Sequence, residues 1–440
     1  MSRWPVRISQ TGSGPTPPGD SLDRFAPKYL VGNTNAGDPD TASTAGLAAG
    51  FNYFPDTGNG AGIAAALVAA NSNRGDVYIR PGTYNLGAVG SPVTPLAIPA
   101  GVRVQGAGYR QSGLTTFDGT VIVANSAPGN SQGVFSMGMS SQLEDLVIQV
   151  PQAAEGASGS TSVVKINAPL ATIRGVGIFA DISLPVESTD LRHLIEIDSV
   201  SPVFANPFDA GLVSLENLVL VNDAKSNSTP DDCSIIYMER GEVSARNVLT
   251  SGGGIGIEVA NAVQASQPVG TGRSCEFRGD DVYVERFKSI GIRYYETGEQ
   301  PGGRGSIRLN RSKVSVVSQE GSVGVSLDSG SGHALSECNI DVSEAESSVG
   351  VFVTAASGTK SGKNTTILGC EIFARAVGVY FSSSNGGSLQ SAVLADSHIE
   401  VSTFAGECIG VLIAPSGEEV GTVSDIEIDS NTIIVDGGGL

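Results

Sequence analysis

Leu335…Cys338-Asn339-Ile340-Asp341-Val342 is followed 32 residues later by Ile367…Cys370-Glu371-Ile372, one unit written twice. Four more copies flank it: Phe277…Asp280-Asp281-Val282-Tyr283-Val284, Leu309…Ser312-Lys313-Val314-Ser315-Val316, Leu394…Ser397-His398-Ile399-Glu400-Val401 and Ile428…Asn431-Thr432-Ile433-Ile434-Val435. In all six, the leading apolar residue stands five positions before the first strand anchor, and successive anchors are 32, 26, 32, 27 and 34 residues apart. A constant interval inside the unit and a variable one between units places the variation in loops. A second, Gly-flanked strand recurs in step with the first: Gly256-Ile257, Gly291-Ile292, Gly324-Val325, Gly350-Val351, Gly378-Val379 and Gly410-Val411.

A unit of roughly 25–35 residues built from short strands cannot bury its own apolar face and has to stack on copies of itself. Strands that recur once per coil pair in parallel, about 4.8 Å apart, and their alternating residues divide between interior and solvent. The expected fold is all-β: a right-handed, single-stranded parallel β-helix. Weaker copies at Leu143–Val150, Ile173–Ile178, Leu215–Val221 and Val243–Val248 bring the expected total to about ten coils. Cys338 and Cys370 share a turn position with Ser312 and Ser397, where small side chains stack in a ladder.

Ahead of the coils, Gly60-Ala61-Gly62-Ile63-Ala64-Ala65-Ala66-Leu67-Val68-Ala69-Ala70-Asn71 fits an α-helix with one broad buried face. An open β-helix end exposes strand edges and apolar interior, and a helix laid across it covers both. Gly75-Asp76-Val77-Tyr78-Ile79-Arg80-Pro81-Gly82-Thr83-Tyr84 and Ile98-Pro99-Ala100-Gly101-Val102-Arg103-Val104-Gln105-Gly106 follow. Over residues 58–108 this block resembles the start of the pectate-lyase-like β-helix domain of bacteriophage tailspikes and virion proteins. It departs from that pattern before the helix, where an acidic stretch is usual and Phe54-Pro55-Asp56-Thr57-Gly58-Asn59-Gly60 stands instead.

Three parts are expected: residues 1–48 as an extended N-terminal attachment arm, 49–125 as capping helix and first coils, and 126–440 as the β-helix. The arm is rich in Pro, Gly, Thr and Asp and cannot form a core. The resemblance implies that it anchors the β-helix to other virion proteins of capsid or tail, with Trp4, Phe25 and Tyr29 as hydrophobic plugs. The coil pattern runs to Val435-Asp436 and then Gly437-Gly438-Gly439-Leu440, so no trimerisation module is expected beyond it, and partners are expected to cover the last coil. The resemblance also implies a homotrimer.

With 45 Asp+Glu against 26 Lys+Arg, the chain carries a formal charge of −19, which argues against nucleic acid or anionic membrane as partner. Met1-Ser2-Arg3-Trp4-Pro5 lacks the apolar core of a signal peptide, and no run approaches a membrane span. The expected location is a virion, after synthesis in the host cytoplasm. Cys233, Cys275, Cys338, Cys370 and Cys408 show no CxxC spacing and are expected as free, mostly buried thiols. His193, His333 and His398 form no ligand-spaced set with them, so neither metal nor cofactor is expected.

Cutting a glycan needs two carboxylates at a suitable separation, or a base with partners that stabilise elimination. Acids and aromatic faces concentrate in one coil: Asp280, Asp281 and Glu285 are the catalytic candidates, and Tyr283, Tyr294 and Tyr295 the sugar-stacking ones. Asp341 and Glu400 are expected not to align on adjacent coils, because Ser315 and Phe373 take the equivalent positions. A second candidate wall holds Asp181, Glu187, Asp190, Arg192 and His193. The expected role is a structural or adhesive phage appendage contacting host polysaccharide. The alternative is a depolymerase, hydrolase or lyase, of capsule or lipopolysaccharide; a third is a bacterial cell-surface β-helix.

Overall fold

The computed structural model describes residues 29–33, 52–73, 75–87, 93, 95–112, 116–124, 133–151, 161–181, 191–198, 212–222, 233–261, 275–296, 305–316, 321–355, 361–403, 408–414 and 421–437. They form a right-handed parallel β-helix. A typical coil is three strands, Ser306–Asn310, Lys313–Val316 and Val323–Asp328, repeated above as Ala334–Ser336, Asn339–Asp341 and Val349–Thr354. In chain order these are the leading, anchor and Gly-flanked strands of the coil. Equivalent residues sit over one another: Lys313, Asn339, Glu371, His398 and Thr432 form one parallel ladder. Among the described pairs only the Tyr109–Gln111 and Phe117–Ala124 strands run antiparallel.

The chain turns from leading to anchor strand through one residue in the left-handed region. That residue is Asp145, Gly175, Asn217, Asn247, Asp281, Arg311, Glu337, Gly369, Asp396 and Ser430 on ten successive coils, with φ between 46° and 63°. Gly, Asn and Asp bear this conformation at lowest cost and hold seven of the ten places. The next residue completes the turn, and Ser312, Cys338, Cys370 and Ser397 are 2% exposed or less. They do stack as a ladder: Ser312 Oγ accepts the Val282 N–H at 3.2 Å, and Ser397 Oγ accepts the Cys370 N–H at 3.2 Å. Cys233 and Cys275 are also buried, and Cys408 is half-buried.

The two halves of the repeat need each other. A Cβ on Gly256, Gly291, Gly324, Gly350, Gly378 or Gly410 would lie 2.3–2.5 Å from a methyl of Val284, Val314, Ile340, Ile372, Ile399 or Ile433 respectively. For the first five it would also lie 2.6 Å from the carbonyl oxygen of the next glycine in the stack. A glycine ladder on the Gly-flanked strands therefore receives an aliphatic ladder from the anchor strands. This corrects one sequence alignment: Val284, not Val282, pairs with Val314. A slip of two residues keeps every side chain on its face, so alternation alone cannot detect it.

The helix α1 (Ala61–Asn73) buries Gly62, Ile63, Ala66, Leu67 and Ala70 against the first strands. Gly62 approaches the Asp56 backbone too closely for a Cβ, and Asp56 Oδ1 accepts the Gly58 N–H at 2.9 Å, fixing the entry to the helix. Tyr29 corrects the expected arm. Tyr29–Asn33 is a strand of the fold, paired in parallel with Asn52–Asp56 and Val77–Ile79. The Tyr29 ring is 2% exposed and tilts against Phe54 at 5.9 Å, so it plugs its own fold rather than a partner. Trp4 and Phe25 lie outside the described residues.

Candidate functional site

On the leading face, alternation turns every second residue outward, and stacking arranges these residues in columns. One column runs Ser244, Arg278, Arg308, Ala334; its neighbour runs Arg246, Asp280, Asn310, Ser336. Together they line a surface groove of about 490 Å³. Small side chains at one end of each column leave the room, and the long arginines form the walls.

Glu276, on the same strand, organises the arginines. Its carboxylate accepts from Arg278 Nη2 at 2.7 Å and pairs with Arg308 Nε at 3.2 Å. The Arg278 hydrogen bond is the main cause holding the Glu276 carboxyl below its usual range. Both guanidinium side chains remain more than half exposed, and each has five N–H donors, most of them still unused by Glu276. Asp280 accepts from Asn310 Nδ2 and Arg311 Nη2, both at 2.8 Å. Arg246 is exposed, and no ion pair involves it among the described residues.

The structure separates the candidates that the sequence grouped. Asp280 lies in the groove on the leading face. Asp281 is the left-handed bend residue, tied to Arg311 Nε at 3.3 Å, and Arg311 is the bend residue of the next coil. Tyr283 and Glu285 point out from the anchor face, where Tyr283 is 38% exposed between Leu249 and Lys313. Tyr295 is outward on the Gly-flanked face, but the Arg293 guanidinium covers its ring at 4.4 Å. Its hydroxyl is pushed up to about 12, chiefly by burial.

Tyr294 corrects the expectation of a stacking platform. It is fully buried inside the coil, accepts from Asn261 Nδ2 at 3.1 Å and meets His333 edge-on at 4.7 Å. The intervening Ile292 and Arg293 set the alternation that turns it inward. The aligned column Glu285, Ser315, Asp341, Phe373, Glu400 confirms that no acidic stripe forms there.

The second candidate wall is also rearranged. His193 is 4% exposed, stacks on Tyr237 at 4.5 Å, and is lowered to about 3, first by burial. Glu187 and Asp190 lie outside the described residues. On this Gly-flanked face the outward ladder reads Ser136, Lys165, Glu196, Tyr237, Glu258, Arg293, Ser326, Phe352, Tyr380, Leu412. Glu196 takes a hydrogen bond from Ser162 and the Lys165 ammonium at 2.8 Å; Glu258 takes one from Ser234 and lies 3.7 Å from Arg293.

Sequence reading missed Arg246, Arg278 and Arg308 because it scored acids and aromatics within one coil. Reading the same position across three coils would have found them. Asp280, Asp281, Glu196 and Glu258 all have cationic partners. The arrangement therefore offers charged acceptors and guanidinium donors, the equipment for holding a polar chain. Among the described residues no group of three His, Cys, Asp or Glu could hold a metal, and no helix is long and apolar enough to cross a membrane.

No known family and no curated protein matches the chain. Among solved structures it is similar to the catalytic unit of a thermostable GH87 α-1,3-glucanase from Streptomyces thermodiastaticus, at 12% identity and a TM-score of 0.40. That match covers 87% of this chain and 66% of the glucanase unit, less than two thirds of its length. It is similar to a tailspike protein mutant of E. coli bacteriophage HK620 in complex with a pentasaccharide, at 10% identity and a TM-score of 0.41, over 88% of this chain and 76% of that one. It is also similar to pectate lyase Pel9A, at 11% identity and a TM-score of 0.36, over 92% and 80%.

Proposed function

We propose that the chain is a tailspike-like, polysaccharide-binding β-helix of a phage particle that holds host-surface glycan in the leading-face groove without cutting it. The groove carries this reading: Arg246, Arg278, Asp280, Arg308, Asn310 and Ser336 converge on one rigid surface and can hydrogen-bond sugar hydroxyls and charged substituents. Against cleavage stands the pairing of the carboxylates. Asp280 and Asp281 are both engaged by Arg311, and Glu285 projects from the anchor face rather than into the groove. Attachment to the virion through residues 1–28, and a homotrimeric state, belong to the same proposal and draw on the resemblance of residues 58–108.

The test is incubation of purified protein with polysaccharides from candidate hosts, measuring retention on the glycan together with new reducing ends and unsaturated-sugar absorbance. Retention without product is expected. Product whose yield falls in Asp280→Asn or Glu285→Gln would replace adhesion by depolymerisation. Deletion of residues 1–28, which leaves the Tyr29–Asn33 strand intact, is expected to abolish incorporation into particles; undiminished incorporation would refute anchoring.

A further inference from the structure

We infer that the leading-face groove selects glycans bearing anionic groups, carboxylate above all; this rests on the polysaccharide-binding reading and narrows its ligand class. The chain carries −19 overall, yet the charged side chains lining the groove are three arginines and one aspartate. Glu276, paired with Arg278 and Arg308, offsets part of that charge, and the three guanidinium groups still outnumber the two carboxylates, Asp280 and Glu276.

The geometry is also specific. Arg278 and Arg308 occupy one column on adjacent coils, about 4.8 Å apart along the stack. Arg246 stands one coil earlier in the neighbouring column, level with Ser244. Glu276 fixes Arg278 and Arg308 from one side, so these forks lose little side-chain freedom on meeting a ligand. A guanidinium matches a carboxylate with two parallel hydrogen bonds. Asp280, Asn310 and Ser336 lie alongside and suit sugar hydroxyls, which have both donors and acceptors. A nucleic acid would present a long run of phosphates to a surface that is acidic outside the groove, and repulsion there disfavours it.

The experiment measures binding of purified full-length protein to a panel of bacterial surface polysaccharides, some bearing uronate and some neutral, and to a single-stranded oligonucleotide. Each uronate glycan is also tested after reduction of its carboxyls to alcohols. Arg278→Gln/Arg308→Gln and Arg246→Gln are compared at equal far-ultraviolet circular dichroism. Binding of uronate glycans is expected to fall about tenfold or more on carboxyl reduction and in the double variant. Equal binding of native and reduced glycan, or an unaffected double variant, overturns the inference but leaves polysaccharide binding standing. Binding of no glycan overturns both. Oligonucleotide binding lost in the same double variant would identify phosphate backbones as the ligand and also overturn it.

Discussion

Gly350→Ala tests how the two ladders of the repeat meet. A Cβ there would stand 2.4 Å from Ile372 Cγ2 and 2.6 Å from the Gly378 carbonyl oxygen. Ordinary contact lies near 3.5–4.0 Å, so relief requires a shift of roughly 1 Å. The Ile372 methyl belongs to a buried side chain, and the Gly378 carbonyl belongs to the next coil, where a Cβ on Gly378 would in turn meet Gly410. Overpacking of a tight core costs about 1–3 kcal/mol, and a clash with fixed backbone belongs at the upper end. Gly321→Ala is the control. Gly321 has φ 72° and nothing within 4 Å of its Cβ position, so only the left-handed strain of roughly 1–2 kcal/mol applies. Urea unfolding followed by far-ultraviolet circular dichroism compares the two, using the first transition because stacked coils need not unfold together. Gly350→Ala is expected to unfold earlier than Gly321→Ala and wild type. If it matched wild type, or outlasted Gly321→Ala, the close approach of the ladders would be refuted.

Three further outcomes follow from buried groups. His333 is fully buried, accepts the Ile307 N–H at 3.1 Å and donates through Nε2 to the Ser329 carbonyl at 2.7 Å, and burial lowers it to about 4. The unfolded chain therefore binds a proton that the folded chain refuses, and stability falls as pH drops from about 6.5 to about 4, by roughly 3 kcal/mol; His333→Leu should flatten that part of a stability–pH curve. Glu144 is 1% exposed and held by Arg103 Nε and Arg174 Nη2, each at 2.8 Å. Glu144→Ala strands two partly exposed cations, and an expected loss of about 2 kcal/mol, below the 3–5 of a wholly buried pair, should appear in urea unfolding. Thiol titration of native protein should modify Cys408 first and leave Cys233, Cys275, Cys338 and Cys370 unreacted until unfolding.

The fold was legible because stacking demands repetition: the Gly-flanked strands and the Ser312–Cys338–Cys370–Ser397 turn position were all visible as spacing. The bend residue was less visible, since Arg311 and Glu337 hold the left-handed place as well as Asn217 and Asn247 do. The site was less legible still. Asp280, Tyr283 and Tyr295 are neighbours in sequence, yet the coil bends between them and sends each to a different face. Arg246, Arg278 and Arg308 are about 30 residues apart and become neighbours only through the register.

That register is most directly tested by distances between spin labels on the Gly-flanked ladder, in a Cys408→Ser background diluted with unlabelled protein. Position 136 stands six coils from 326 and nine from 412. At about 4.8 Å per coil the separations should be roughly 29 Å and 43 Å before label length. Distances that grow in proportion to coil number would support like-over-like stacking; a 136–412 distance no longer than 136–326 would contradict it.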